Sequence, residues 1–130
     1  EREVSNERCV SIAGKTATLK ELIEVFRMSK MLISNDSGNP HFAAMADCPS
    51  LVLFGPETPY MYGPLGRAVC LFSYYHSSPT LTAYNHKNAP TLSDRSLRSI
   101  PPRTVVETAK IILAGNAKWG TVNNEVPYLI

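Results

Sequence analysis

Two short, nearly continuous apolar runs, residues 31–34 (MLIS) and 50–54 (SLVLF), flank a stretch that opens on Asn35-Asp36-Ser37-Gly38. Runs this short and this apolar predict parallel strands covered on both faces. Residues 39–47 leave room for about two helical turns of 3.6 residues each, with Pro40 at a favoured first-turn position. A strand–helix–strand unit of this size crosses over right-handedly. Its turn then lies at the carboxyl edge of the sheet, where open α/β sheets bind ligands. Asp36, Ser37, Gly38 and His41 are therefore expected together at a helix amino terminus, whose unpaired N–H groups suit an anion.

The same patterning extends outward. Residues 9–13 (CVSIA) form an apolar run that predicts a first strand, followed by Gly14-Lys15-Thr16. Residues 19–29 predict an amphipathic helix, with Leu19, Leu22, Ile23 and Phe26 on one face and Thr16 or Thr18 as its cap. Beyond Phe54, two Gly/Pro-rich stretches, 55–59 and 63–66, predict turns. Residues 68–72 predict another strand. Residues 73–100 show neither period and read as one long loop, of the kind that binds ligands or stays disordered. Pro101-Pro102 set the start of a C-terminal helix over 102–114, with Val105, Ala109, Ile111 and Ile112 as its apolar side and Gly115 as its stop. The tail, with Trp119, Tyr128 and Leu129, is apolar enough to pack on something. The order predicts an α/β fold, a Rossmann-like parallel sheet with helices on both faces. A sheet of four strands suits half of a two-domain protein.

Composition narrows the function classes. At 130 residues the chain is one domain by length, and 44% hydrophobic with 18% charged residues is a globular composition. No apolar run nears the roughly 20 residues of a membrane-spanning helix. A net charge of +2 without a Lys/Arg cluster argues against nucleic acid as a partner. Cys9, Cys48 and Cys70 are odd in number and widely spaced. They match neither a disulfide framework nor a metal knuckle, and Cys48 and Cys70 read as small core residues. The first seven residues are highly charged, with no initiator Met and no signal-peptide core. The chain is expected to be cut from something longer.

Several candidate chemistries fail on spacing. Gly14-Lys15-Thr16 suggests a P-loop, but the glycine required five residues earlier is Cys9. Asp36-Ser37-Gly38 suggests an aspartic protease, which needs a second Asp lobe and an all-β surround. Ser37 lacks the glycine two residues before it that a nucleophile elbow requires. His76 and His86 have no ligand partners at metal spacing, and Tyr74-Tyr75 has no basic company for base stacking. His41 is different. In the first helical turn, three residues after Gly38, it can direct an imidazole at an anion on the Ser37 and Gly38 N–H groups. Asp36, which would repel that anion, suits hydroxyl groups. Donors for an anion beside an acceptor for hydroxyls are what a sugar phosphate requires.

The motif Ser34-Asn35-Asp36-Ser37-Gly38-Asn39-Pro40-His41 is followed by Ala43-Ala44, by Phe54-Gly55-Pro56-Glu57-Thr58-Pro59 and by Gly63-Pro64-Leu65-Gly66. Together these resemble glycosyltransferase family nine, the ADP-heptose:lipopolysaccharide heptosyltransferases and their relatives. Ile12-Ala13-Gly14-Lys15-Thr16 with Leu19-Lys20-Glu21-Leu22 is similar to the family's stretch upstream of that motif, and Leu97-Arg98-Ser99-Ile100-Pro101 to its entry into the last helix. The resemblance implies a bacterial GT-B enzyme with two Rossmann-like domains across a cleft, inverting at the sugar, with no metal or other cofactor. This chain is then expected to be the carboxyl-terminal half, a nucleotide-sugar-binding domain over residues 1–130. Asp36, Ser37, Gly38 and His41 match the family's donor-binding motif, and the segment 14–18, with Lys15 and Thr16 as donor-binding residues, matches the lining of its nucleobase pocket through its backbone. The implied partners are a nucleotide-sugar donor, ADP-linked in the family, and a missing amino-terminal domain holding the acceptor site and catalytic base. No catalytic residue is expected within residues 1–130, and the isolated chain is expected to be inactive. The implied setting is cytoplasmic, with peripheral association at the inner face of the inner membrane. The alternative from a different class is a stand-alone nucleotide- or phosphosugar-binding or interaction module without catalysis.

Overall fold

The computed structural model describes residues 8–72, 97–119 and the backbone of residues 122 and 123. In chain order the elements are α1 (Leu19–Met28), β1 (Leu32–Asn35), α2 (Asn39–Met45), β2 (Ser50–Leu53), α3 (Pro59–Tyr62), β3 (Ala68–Leu71), α4 (Pro102–Leu113) and β4 (Val122–Asn123). The strands form one parallel sheet in the order β1-β2-β3-β4. His76, His86, Tyr74-Tyr75, Tyr128, Leu129, the first seven residues and most of the 73–100 stretch lie outside the described residues.

Alternation along the strands assigns the two faces. Leu51 pairs with Val69 and Leu53 with Leu71 in the β2–β3 register, and these side chains pack with Ile100, Val105, Ala109 and Ile112 beneath α4. The opposite face collects Val52, Phe54, Cys70 and Phe72. Leu32 on that face meets α1 and α2 through Leu22, Ile23, Phe26, Phe42, Ala43 and Ala46. Helices thus cover both faces of the sheet, the arrangement its apolar strands require.

Local chemistry sets the ends of the elements. Thr18 caps α1 in a reciprocal box: its side chain accepts from the Glu21 N–H, and the Glu21 carboxylate accepts from the Thr18 N–H. Asp47 leaves α2 with a positive φ of 54°, and Arg67 grips its carboxylate (3.0 Å) and its carbonyl, tying the end of α2 to the start of β3. Gly66, at φ 93°, brings the β3 approach against α2, where an added Cβ would lie 3.7 Å from that of Ala44. A side chain there would be strained by the backbone conformation itself.

Four details depart from expectation. Residues 9–13 are not a strand: Val10 is 77% exposed, and the run pairs with no strand among the described residues, ending in a turn closed by Lys15 N–H to Ile12 O (3.0 Å). An apolar run becomes a strand only when a neighbour satisfies its backbone. Between the two Gly/Pro turns stands α3, one helical turn with Thr58 as its cap and Pro59 in its first turn. On α4 the buried positions are Thr104, Thr108 and Ile112, while Ile111 faces solvent. Leu19, at the open end of α1, is likewise exposed. A Leu51→Ala substitution should cost about 2–5 kcal/mol in chemical denaturation. Ile111→Ala should stay within about 0.5 kcal/mol of the parent, because no packed volume is lost.

Candidate donor-binding site

The site begins where β1 runs out. The Asp36 N–H donates to the Leu53 carbonyl (3.0 Å), carrying the ladder one residue past β1 and fixing Asp36 beside the end of β2. Ser37 then turns the chain, its hydroxyl accepting weakly from the Asn39 N–H at 3.4 Å. Gly38 is the N-cap of α2 and makes no side-chain cap, and Pro40 in the first turn has no N–H to donate. Among the described residues the Ser37 and Gly38 N–H groups donate to no protein acceptor, and both residues are exposed.

Gly38 sits at φ −67°, a conformation open to any residue. A Cβ placed there would meet only the Phe42 ring, at an ordinary 3.5 Å. The fold therefore does not demand glycine at this position.

Three titratable side chains influence one another here. The Asp36 carboxyl is held above its ordinary value of 3.8, first by partial burial and then by the like charge of Glu57, with His41 pulling the other way. Its carboxylate accepts no hydrogen bond among the described residues. Beneath it, burial pushes the Cys70 thiol up to about 11, with a further contribution from Asp36. Cys70 is thus a neutral core group. Cys48 is also buried, its Sγ resting 3.6 and 3.8 Å from the Pro49 and Ser29 carbonyls. Among the described residues no group of three or more His, Cys, Asp or Glu is placed to hold a metal ion.

His41 stands on the outer side of α2 and opens onto a cavity of about 430 Å³ bounded by Ala44, Met45, Leu65 and Gly66. His41, Ala44 and Met45 are three and four residues apart, so they share one helix face. Lys15 and Thr16 occupy the turn ahead of α1. They make no hydrogen bond or ion pair to Asp36 or His41 among the described residues. Glu57, four residues past the end of β2, is the charged residue whose influence on Asp36 motif reading did not single out.

The Asp36 shift fixes the sign of a pH effect. Its native value lies above the unfolded one, so the native state binds the extra proton between the two. Stability therefore falls as pH rises through that window and stays lowered above it. Asp36→Asn should raise Tm at neutral pH, and the gain over the parent should disappear below the ordinary carboxylate value of 3.8. A pH series of thermal melts on both proteins reads the difference.

Comparison with known proteins follows the same stretch. The profile of glycosyltransferase family 9 (heptosyltransferase) matches residues 2–89. Lipopolysaccharide heptosyltransferase 2 of Salmonella typhimurium is 30% identical over 112 residues, covering 82% of this chain and 29% of the relative. The Escherichia coli protein of the same name is 30% identical over 108 residues, covering 81% and 29%. Lipooligosaccharide heptosyltransferase 2 of Haemophilus influenzae is 38% identical over 63 residues, covering 48% and 18%. This chain therefore spans less than a third of the length of these relatives. No solved structure matches it. On the family match over more than half its length, with the Asp36–His41 motif inside the matched region, the chain belongs to glycosyltransferase family 9.

Proposed function

We propose that this chain is the donor-binding part of a lipopolysaccharide heptosyltransferase-like enzyme, taking an ADP-heptose-like nucleotide sugar for transfer to a lipopolysaccharide-type acceptor. The observation that carries the reading is the pairing at the end of β1. A half-buried Asp36 carboxylate that accepts no hydrogen bond among the described residues stands beside two N–H groups that donate to none of them and an exposed imidazole. Acceptor and donors are thereby separated by only a few residues.

In this reading the Ser37 and Gly38 N–H groups take the donor diphosphate, supported by the positive end of α2. Gly38 then has a purpose that the fold does not supply, the close approach of a phosphate to the backbone. His41 donates to the same diphosphate. As the glycosidic bond breaks, negative charge builds on the leaving group, and donors already aimed at it lower the barrier most. Asp36 accepts from donor hydroxyls. Lys15 and Thr16 line the nucleobase end, by resemblance to the family. The base that deprotonates the acceptor belongs to a second domain, with inversion and without a metal. A cytoplasmic protein working at the inner face of the inner membrane fits that acceptor. Among the described residues no helix is long and apolar enough to cross a membrane.

Calorimetric titration of the protein with ADP and with adenosine tests the reading. ADP should bind saturably and adenosine much more weakly, and His41→Ala should reduce ADP affinity about tenfold, the size of one hydrogen bond to a charged group. Equal affinity of His41→Ala and parent for ADP would remove His41 from the diphosphate site.

A further inference from the structure

A second cavity, of about 390 Å³, opens at the start of α4, bounded among the described residues by Pro101, Arg103, Thr104 and Glu107. Its size falls within the range of small-molecule sites. The first helical turn builds its wall. Pro101 is the N-cap and supplies no side-chain cap, and Pro102 after it has no N–H. The Thr104 and Val105 N–H groups both turn back to the Pro101 carbonyl, at 3.0 and 3.3 Å. The Arg103 N–H finds no acceptor among the described residues. A helix of 12 residues thus begins on an uncapped positive end.

What sets this helix start apart is Thr104. It is only 7% exposed, it lines the cavity, and its hydroxyl makes no hydrogen bond among the described residues. A buried hydroxyl without a partner costs stability, and here a cavity lies against it. Arg103 stands next to it. Its Nε donates to the Glu107 carboxylate across one helical turn (2.7 Å), while its terminal guanidinium nitrogens bond nothing among the described residues. Glu107 is the one acid in the wall, and its charge is met by that ion pair. A helix start, a hydroxyl and an Arg guanidinium together are a donor set suited to a phosphate group. The second oxygen of Glu107 suits a hydroxyl on the molecule that carries the phosphate.

We infer that the cavity at the start of α4 is a binding site for a phosphate group, with the Arg103 N–H, the Arg103 guanidinium and the Thr104 hydroxyl as its donors. It shares no residue with the Asp36–His41 turn, so it stands or falls apart from the donor-site reading above. The phosphate is either free or carried on a sugar, and the two sources differ in what they ask of Glu107. Only a sugar phosphate brings hydroxyls to that carboxylate.

The test is a calorimetric titration of the full-length protein with glucose 6-phosphate, inorganic phosphate and glucose. The parent is compared with Thr104→Val, Arg103→Ala and Thr108→Val, and thermal melts check that each variant folds. Thr108 is the control: it is also 7% exposed and its hydroxyl is likewise unbonded among the described residues, but it is not part of the cavity wall. Thr104→Val and Arg103→Ala should each weaken glucose 6-phosphate binding about tenfold, and Thr108→Val should leave it unchanged. Arg103 is exposed, so its variant tests the site even where Thr104→Val loses the fold. Tighter binding of glucose 6-phosphate than of inorganic phosphate, with none of glucose, assigns the site to a sugar phosphate; equal binding of the two assigns it to phosphate alone. Binding that survives both Thr104→Val and Arg103→Ala lies elsewhere on the protein and overturns the inference. An equal loss in Thr108→Val overturns it as well, since repacking beneath α4 then explains the effect. A parent that binds neither phosphate ligand overturns it outright and leaves the donor site standing.

Discussion

The site depends on the parallel register between β1 and β2. With Asn35 opposite Leu53, the next N–H, that of Asp36, still has a carbonyl to bond. Its carboxylate is thereby held at the sheet edge rather than released into a loop. A one-residue slip would turn every β1 side chain to the other face. Leu32 would leave the apolar cluster with Phe26, Ala43 and Ala46, and the Asp36 N–H would lose its bond to the Leu53 carbonyl. Burial of Leu32 and the positioning of Asp36 are thus enforced by the same pairing, so core packing sets the site geometry.

Around that register the molecule keeps its rigid parts close to its chemistry. Arg67 fastens the far end of α2 to the start of β3, so the helix that begins at Gly38 is anchored at both ends. Gly66 permits α2 to lie close, which also shapes the cavity that begins at His41. The carboxyl edge carries the turn between β1 and α2 and the loop between β2 and α3. Loops at that edge of a rigid sheet are the usual means by which an α/β fold carries function.

Much of this was legible in the chain itself, because the central strands are buried on both faces and say so in their composition. The runs at 31–34 and 50–54 could hardly be anything but strands, and Pro40 marked the start of α2. Other features were hidden for identifiable reasons. The run at 9–13 has strand-like residues, but partner availability decides strand formation and sequence pattern does not report it. In α3 a Gly/Pro-rich surrounding concealed a helical turn that Thr58 as cap and Pro59 after it did announce. Ile111 looked like core because it is large and apolar, whereas the angular position of Thr104, Thr108 and Ile112 decided which side of α4 faced the sheet. Of the candidate site, Asp36, Ser37, Gly38 and His41 stand in one motif of the sequence. The influence of Glu57 on Asp36 does not show there, since it arises from the adjacency of β1 and β2.

One measurement bears on the central claim most directly, a crystal structure of the full-length protein with ADP bound. If the donor site is where β1 ends, the diphosphate oxygens will lie about 3 Å from the Ser37 and Gly38 nitrogens, with His41 against them and the Asp36 carboxylate turned away from the phosphates. A diphosphate held elsewhere on the protein, with the Ser37–His41 turn untouched, contradicts it.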